Sequence, residues 1–146
     1  MKSVRGFGFI LFAFACILAS CQAGQSGELK VTDAWSRPGL AGGNGALYFV
    51  VDNSTKQDDA LIKAESDAAE SVELHLSSMD AAGNMSMTPQ EKVDIPSGQK
   101  VEFKPGGLHV MLIQLKKDLE PGQTIHVTLT FEKAKQIELD VIVQEP

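Results

Sequence analysis

Between His75 and Met111 the chain places two of its three histidines and every methionine except the initiator: His75, Met79, Met85, Met87, His109 and Met111. Imidazole nitrogens and thioethers are borderline and soft donors that suit Cu(I), whereas Ca²⁺ or Mg²⁺ would call for carboxylates and carbonyls. Eleven residues separate His75 from Met87, twenty-one separate Met87 from His109, and one separates His109 from Met111. Two imidazoles and two neutral thioethers bind Cu(I) without burying negative charge, and they disfavour Zn²⁺, which takes thiolate, imidazole or carboxylate. His75, Met87, His109 and Met111 therefore form a candidate Cu(I) site, with Met85, two residues from Met87 on the same strand face, as an alternative ligand. Thioethers also keep affinity moderate enough for the metal to be passed on, which favours a carrier over a structural site; a copper-sequestering resistance lipoprotein and a metal-free β-sandwich interaction lipoprotein are the alternatives. Met79 reads as an exposed loop methionine and His126, in an alternating strand far from this window, as a surface histidine. Glu73, close to His75, would be available if Cu(II) were also bound.

The two cysteines narrow the chemistry. Residues 1–20 carry Lys2 and Arg5, then the uncharged apolar run FGFILFAFACILA, and end in Leu18-Ala19-Ser20 before Cys21. An apolar run of thirteen residues is too short for a membrane span, which needs about 20, and has the form of a secretory signal. Directly behind it, Leu-Ala-Ser-Cys resembles the lipobox of bacterial lipoproteins, which implies cleavage before Cys21 and lipidation of that residue. Cys16 would leave with the signal and Cys21 would carry lipid, so the exported chain would offer no free thiol. That excludes a disulfide framework, a thiol nucleophile and a blue-copper centre, which needs a thiolate. An oxygen-activating copper enzyme generally needs more histidines than these three, so the expectation is a binding protein and not an enzyme.

Loss of the signal lowers Lys plus Arg from 13 to 11 against 19 Asp plus Glu, taking the formal charge from −6 to −8. So acidic a domain does not suit nucleic acid, whose binding rests on basic patches. Membrane attachment would come from the lipid, placing the protein outside the cytoplasm, on the periplasmic or cell-surface side. Residues 21–27, small and polar, read as a lipidated tether, and 28–146 as one domain.

The elements that must position the ligands are short strands. Strands are expected at Glu28–Trp35, Ala46–Asp52, Asp59–Lys63, Ser71–Leu76, within Met85–Ile95, and at Val101–Phe103, Leu108–Leu115, Thr124–Phe131 and Gln136–Val143, with a single helical turn at Ser66–Glu70. Period-two alternation puts Val72, Leu74 and Leu76 inward and His75 on the polar side, and each ligand near a strand end or turn. Trp35 reads as a core plug at a strand end. The glycine-rich loop Ser36–Gly45 lacks both the dinucleotide fingerprint and the phosphate-loop lysine. Eight or nine short strands with frequent turn signals predict an all-β fold, an antiparallel β-sandwich or Greek-key barrel.

The elements Trp35-Ser36-Arg37, Val72-Glu73-Leu74-His75, Met85-Ser86-Met87 and Pro105-Gly106-Gly107-Leu108-His109-Val110-Met111-Leu112 together resemble the periplasmic copper chaperones of the PCuAC type. The resemblance covers nearly all of the chain from Glu28 onward. It implies a cupredoxin-like β-sandwich in which a histidine, a methionine and a closing His-x-Met pair bind Cu(I). The spacing from His75 to Met87 is one residue longer than the family pattern, while that from Met87 to His109 fits it, which favours Met87 over Met85 and puts the extra residue in the turn Asp80–Asn84. The resemblance further implies delivery of copper to the copper-accepting subunit of respiratory oxidases, alongside Sco-type thioredoxin-like partners.

Overall fold

A computed structural model describes residues 27–145, so the signal, Cys16, Cys21 and most of the tether lie outside the described residues. Ten strands follow in order: β1 (Leu29–Ser36), β2 (Gly45–Asn53), β3 (Asp59–Ser66), β4 (Ala69–Met79), β5 (Met85–Pro89), β6 (Val93–Ile95), β7 (Lys100–Phe103), β8 (Leu108–Leu115), β9 (Thr124–Phe131) and β10 (Lys135–Val143). The all-β expectation is met, with one strand more than the upper count because Met85–Ile95 divides at Gln90–Lys92 into β5 and β6.

The strands run in the order β5-β4-β8-β2-β1-β10-β9-β3-β6, with β7 also paired to β2. All pairings are antiparallel except β1 with β10. Inward residues from both halves of this path, including Leu47, Phe49, Leu74, Val110 and Leu112 on one side and Leu61, Val127, Leu129, Phe131 and Val141 on the other, form one buried cluster. Removing such apolar area from water is the principal driving force of the fold. Asn53, fully buried at the end of β2, ties that strand to β6 and to the β2–β3 loop: its side-chain amide donates to the carbonyls of Ile95 and Gln57, both at 2.9 Å.

Three local expectations are corrected. Ser66–Glu70 is not helical: Ser66 ends β3, Asp67 and Ala68 form a tight turn, and Ala69 and Glu70 open β4, with Ser66 Oγ accepting from the Ala68 N–H at 3.3 Å and donating to the His126 carbonyl at 2.7 Å. The hydroxyl offers the backbone a turn in place of a helical bond. Trp35 is half-buried rather than a core plug. A register shift between Thr32 and Trp35, with Asp33 at φ 55°, is the bulge that brings the indole against Tyr48, ring centroids 4.7 Å apart. Finally, β4 extends to Met79, so His75 lies well inside a strand and Met79 ends it instead of belonging to the loop.

Candidate metal centre

The three strands at one end of the sheet, β5, β4 and β8, carry His75, His109 and the four methionines of the described residues. Residues directly opposite on paired strands share a face. His75 is opposite His109, Glu73 opposite Met111, Ser77 opposite Met87, and Met79 opposite Met85. All of these side chains therefore stand on one face, and Leu74 with its opposite Val110 on the other, in the core. His75 does lie on the non-core side predicted by alternation, but that side is covered here: His75 is buried, as are His109 and Ser77. Leu76, expected inward, is partly exposed, because the β4–β5 hairpin projects beyond the core.

Register also ranks the methionines by reach. Met87 is level with Ser77, one side-chain step beyond His75, or about 7 Å along the strand. Met85 is level with Met79, about 13 Å along. Both are exposed, Met87 at 56% and Met85 at 53%. Met111, two residues from His109 on the same face, is half-buried. A cleft of about 400 Å³ is lined by Arg37, Tyr48, Met85, Met87, His109 and Met111, among others. His75 lies beneath its wall, its ring 5.9 Å from that of His109 between centroids.

The turn that delivers His109 is a direct consequence of Pro105-Gly106-Gly107. Proline presets the first turn position, and Gly106 takes φ 78°, the left-handed value that the next position of such a turn requires. The Gly107 N–H donates to the Lys104 carbonyl at 3.0 Å. The Gly107 carbonyl then accepts from the Ser77 N–H and from His109 Nδ1, each at 3.0 Å, so one peptide group ties β4 to the His109 ring.

Those partners fix which ring nitrogens are free. A carbonyl can only accept, so His109 Nδ1 carries the proton and Nε2 holds the lone pair. His75 Nε2 faces Glu73 Oε2 at 2.9 Å, so it donates to the carboxylate and the lone pair is on Nδ1. His75 Nδ1 is buried with no hydrogen-bond partner. An unpaired buried polar atom costs about 1–3 kcal/mol, and an imidazole whose other nitrogen is held by a carboxylate or carbonyl is the usual arrangement of a metal-ligating histidine. The donor chemistry and the unpaired nitrogen both fit a soft metal ion.

The surroundings are apolar and aromatic. Tyr48 is 6.4 Å from His109 between ring centroids. Burial raises the Tyr48 hydroxyl above its ordinary pKa, with the neighbouring Arg37 guanidinium pulling the other way. Among the described residues no group of three or more His, Cys, Asp or Glu side chains is placed to hold an ion. His126 is on β9, far from this face, exposed and paired with Asp140. Sequence reasoning passed over Tyr48 and Ser77, which carry no motif, and did not find the role of Glu73 in orienting His75, although its place two residues earlier on the same strand face was a usable signal.

A family model described as "Putative lipoprotein LpqE-like" matches residues 29–143. The chain belongs to the LpqE-like family. Among relatives of this LpqE-like chain, "Putative lipoprotein Lxx21020" of Leifsonia xyli is 32% identical over 123 residues, 83% of this chain and 72% of that protein. Protein RP573 of Rickettsia prowazekii is 33% identical over 110 residues, and the match spans 59% of its length. The solved copper-bound PCuAC domain from PmoF2 superposes with a TM-score of 0.68 at 32% identity, covering 83% of this chain and 96% of that domain. The solution structure of Cu(I)-DR1885 from Deinococcus radiodurans gives 0.60 at 27% identity, covering 86% and 85%. The LpqE-like domain is thus of the PCuAC type and has the cupredoxin-like fold that the sequence resemblance implied.

Proposed function

We propose that this protein is an exported, lipid-anchored Cu(I) carrier, acylated at Cys21, that binds copper through His75, Met87, His109 and Met111 and releases it by ligand exchange. The observation that carries this reading is the cross-strand histidine pair with one lone pair free on each ring, that of His75 buried and unpaired. Copper would meet His75 Nδ1 and His109 Nε2. Met111 adjoins His109 and Met87 is the hairpin thioether nearer to the pair, so Met87 is preferred over Met85. The solved copper-bound PCuAC domains, similar at 27–32% identity, support the choice of metal. All four donors are neutral, which favours Cu(I) over Cu(II).

We assign the role of a metallochaperone for copper centres of respiratory oxidases, working with the oxidase subunit that accepts the metal and with a Sco-type thioredoxin-like partner. Neutral thioethers and an open cleft support transfer over storage, because the incoming ligand of an acceptor can displace a thioether without displacing a charge. No catalytic step is assigned to the site.

Anaerobic Cu(I) titration against a competing chelator tests the proposal. His75→Ala, His109→Ala, Met87→Ala and Met111→Ala should each weaken binding by at least the roughly 10–100-fold that even outer partners of metal ligands command. Met85→Leu should leave it nearly unchanged. Wild-type affinity in all four alanine variants would refute the site, and a larger loss for Met85→Leu than for Met87→Leu would exchange the two methionines.

A further inference from the structure

Seven large hydrophobic side chains are exposed among the described residues, and three of them, Met79, Met85 and Met87, belong to one hairpin and one face of it. Met79, 66% exposed, is the direct cross-strand partner of Met85. Directly opposed residues have Cβ atoms about 4.5–5.5 Å apart, and methionine adds a flexible three-torsion arm. Two sulfurs can therefore close on one ion with no movement of the backbone. Solubility alone would favour polar residues at such positions, and core packing does not explain them, because more than half of each residue is exposed.

The hairpin holds this pair in register. Asp80 accepts from the N–H groups of Ala82 and Asn84 at 2.9 and 2.8 Å and from Asn84 Nδ2 at 2.8 Å, while its own N–H donates to the Asn84 carbonyl at 3.0 Å. The Asp80 carboxylate is thereby consumed within the turn and is not offered to a hard cation. On the opposite face of the hairpin Ser78 and Ser86 hydrogen-bond at 3.0 Å. The exposed face offers thioether donors only, a set that selects a soft monovalent ion.

We propose that Met79 and Met85 form a second, outer Cu(I) site, through which copper is loaded and passed inward by way of Met87. The inward step rests on the reading of the inner site given above; the existence of the outer site does not. Transfer is ligand exchange: a copper bond to the donor's ligand breaks as a bond to Met79 or Met85 sulfur forms, then one of these is replaced by Met87. Copper stays Cu(I), and because thioethers are neutral no proton is moved.

The test uses the purified protein labelled with ¹³C at the methionine methyls and titrated with Ag(I), a redox-inert substitute for Cu(I), followed by loading from a Cu(I)–chelator complex in stopped flow. The first equivalent should shift the methyls of Met87 and Met111, and the second those of Met79 and Met85. In Met79→Leu/Met85→Leu the second event should vanish, the first affinity should stay within a few-fold of wild type, and loading should slow several-fold. In His75→Ala/His109→Ala the shifts at Met79 and Met85 should persist. Absence of those shifts in both backgrounds would overturn the outer site, and wild-type loading by the double leucine variant would overturn its part in transfer. If the first event were unaltered by loss of both histidines, the inner site would fall while the outer result stayed readable.

Discussion

The molecule contains two cross-strand pairs built around histidine, and they have opposite fates. On β4 and β8, His75 faces His109, both are buried, and one nitrogen of His75 has no partner. On β10 and β9, Asp140 faces His126, the two side chains are 70% and 77% exposed, and they bond each other. Both pairs sit on strands with the same period-two pattern. The difference is chemical: the His126–Asp140 pair satisfies itself in water, whereas His75 and His109 cannot satisfy each other, since each ring directs its proton elsewhere, to Glu73 and to the Gly107 carbonyl. A buried pair of lone-pair donors without protons between them fits the needs of a third, electron-accepting centre.

The largest expected contrast follows from that comparison. His75→Ala/His109→Ala should abolish measurable Cu(I) retention against a chelator, while His126→Ala/Asp140→Ala should leave it at wild type. Equal losses in both double variants would mean that surface histidine content, not the buried pair, holds the metal. Next in size is Glu73→Gln. The amide can still contact His75 Nε2, but with an NH₂ that competes for the same nitrogen, so the ring is no longer held in one tautomer. Loss of such an orienting partner costs on the order of 10–100-fold in metal affinity. Glu73→Gln with unchanged affinity would place the copper-binding nitrogen of His75 at Nε2.

The sequence disclosed the strands well and their coverings poorly. β8 and β9 lie at their expected bounds, Leu108–Leu115 and Thr124–Phe131: β9 alternates polar and apolar residues, and β8, nearly continuous in apolar residues, is bounded by the Pro105–Gly107 turn and the charged run Lys116–Asp118. His75 was placed on the correct face and assigned the wrong environment. Alternation says which side of a strand a residue occupies, but burial of the far side depends on what distant loops lay over it, and here the Pro105–Gly107 turn and the segment from Arg37 to Ala46 approach it. The helical turn expected at Ser66–Glu70 failed for a related reason: Ser66 spends its hydroxyl on a long-range bond to His126 that local propensity does not see. The relative reach of Met87 and Met85 follows from the hairpin register, which the five-residue turn Asp80–Asn84 sets.

A smaller effect, and one of opposite sign, concerns stability. The unpaired His75 Nδ1 is a cost carried by the metal-free protein. His75→Leu removes that atom and places an apolar side chain at the same buried position, so the apo protein should gain stability of about 1–3 kcal/mol, the range for an unsatisfied buried polar group. Thermal unfolding without copper would then shift upward by a few degrees, while copper-dependent stabilisation disappears. A destabilised apo variant would show that His75 is held for packing.

The smallest effect separates the hairpin from the histidine pair. Asp80 has its carboxyl held below the ordinary carboxylate pKa by the hydrogen bond from the Asn84 side chain, then by backbone N–H groups of Asn84, Ala82 and Gly83. A depressed pKa in the folded state means that the carboxylate contributes order above its unfolded pKa and that this contribution is lost as the pH falls through the lower, folded value. The turn should therefore be fixed at neutral pH and should loosen only below the usual carboxylate range. The group is exposed, so the change belongs to the hairpin and not to global unfolding. Methyl resonances of Met79 and Met85 should broaden or shift over that acid window. Asp80→Asn should produce the same shift at neutral pH and remove its acid dependence. If Asp80→Asn leaves the two methyls unperturbed, register at Met79 and Met85 is set by the β4–β5 ladder alone, and the turn has no part in holding the thioethers opposite each other.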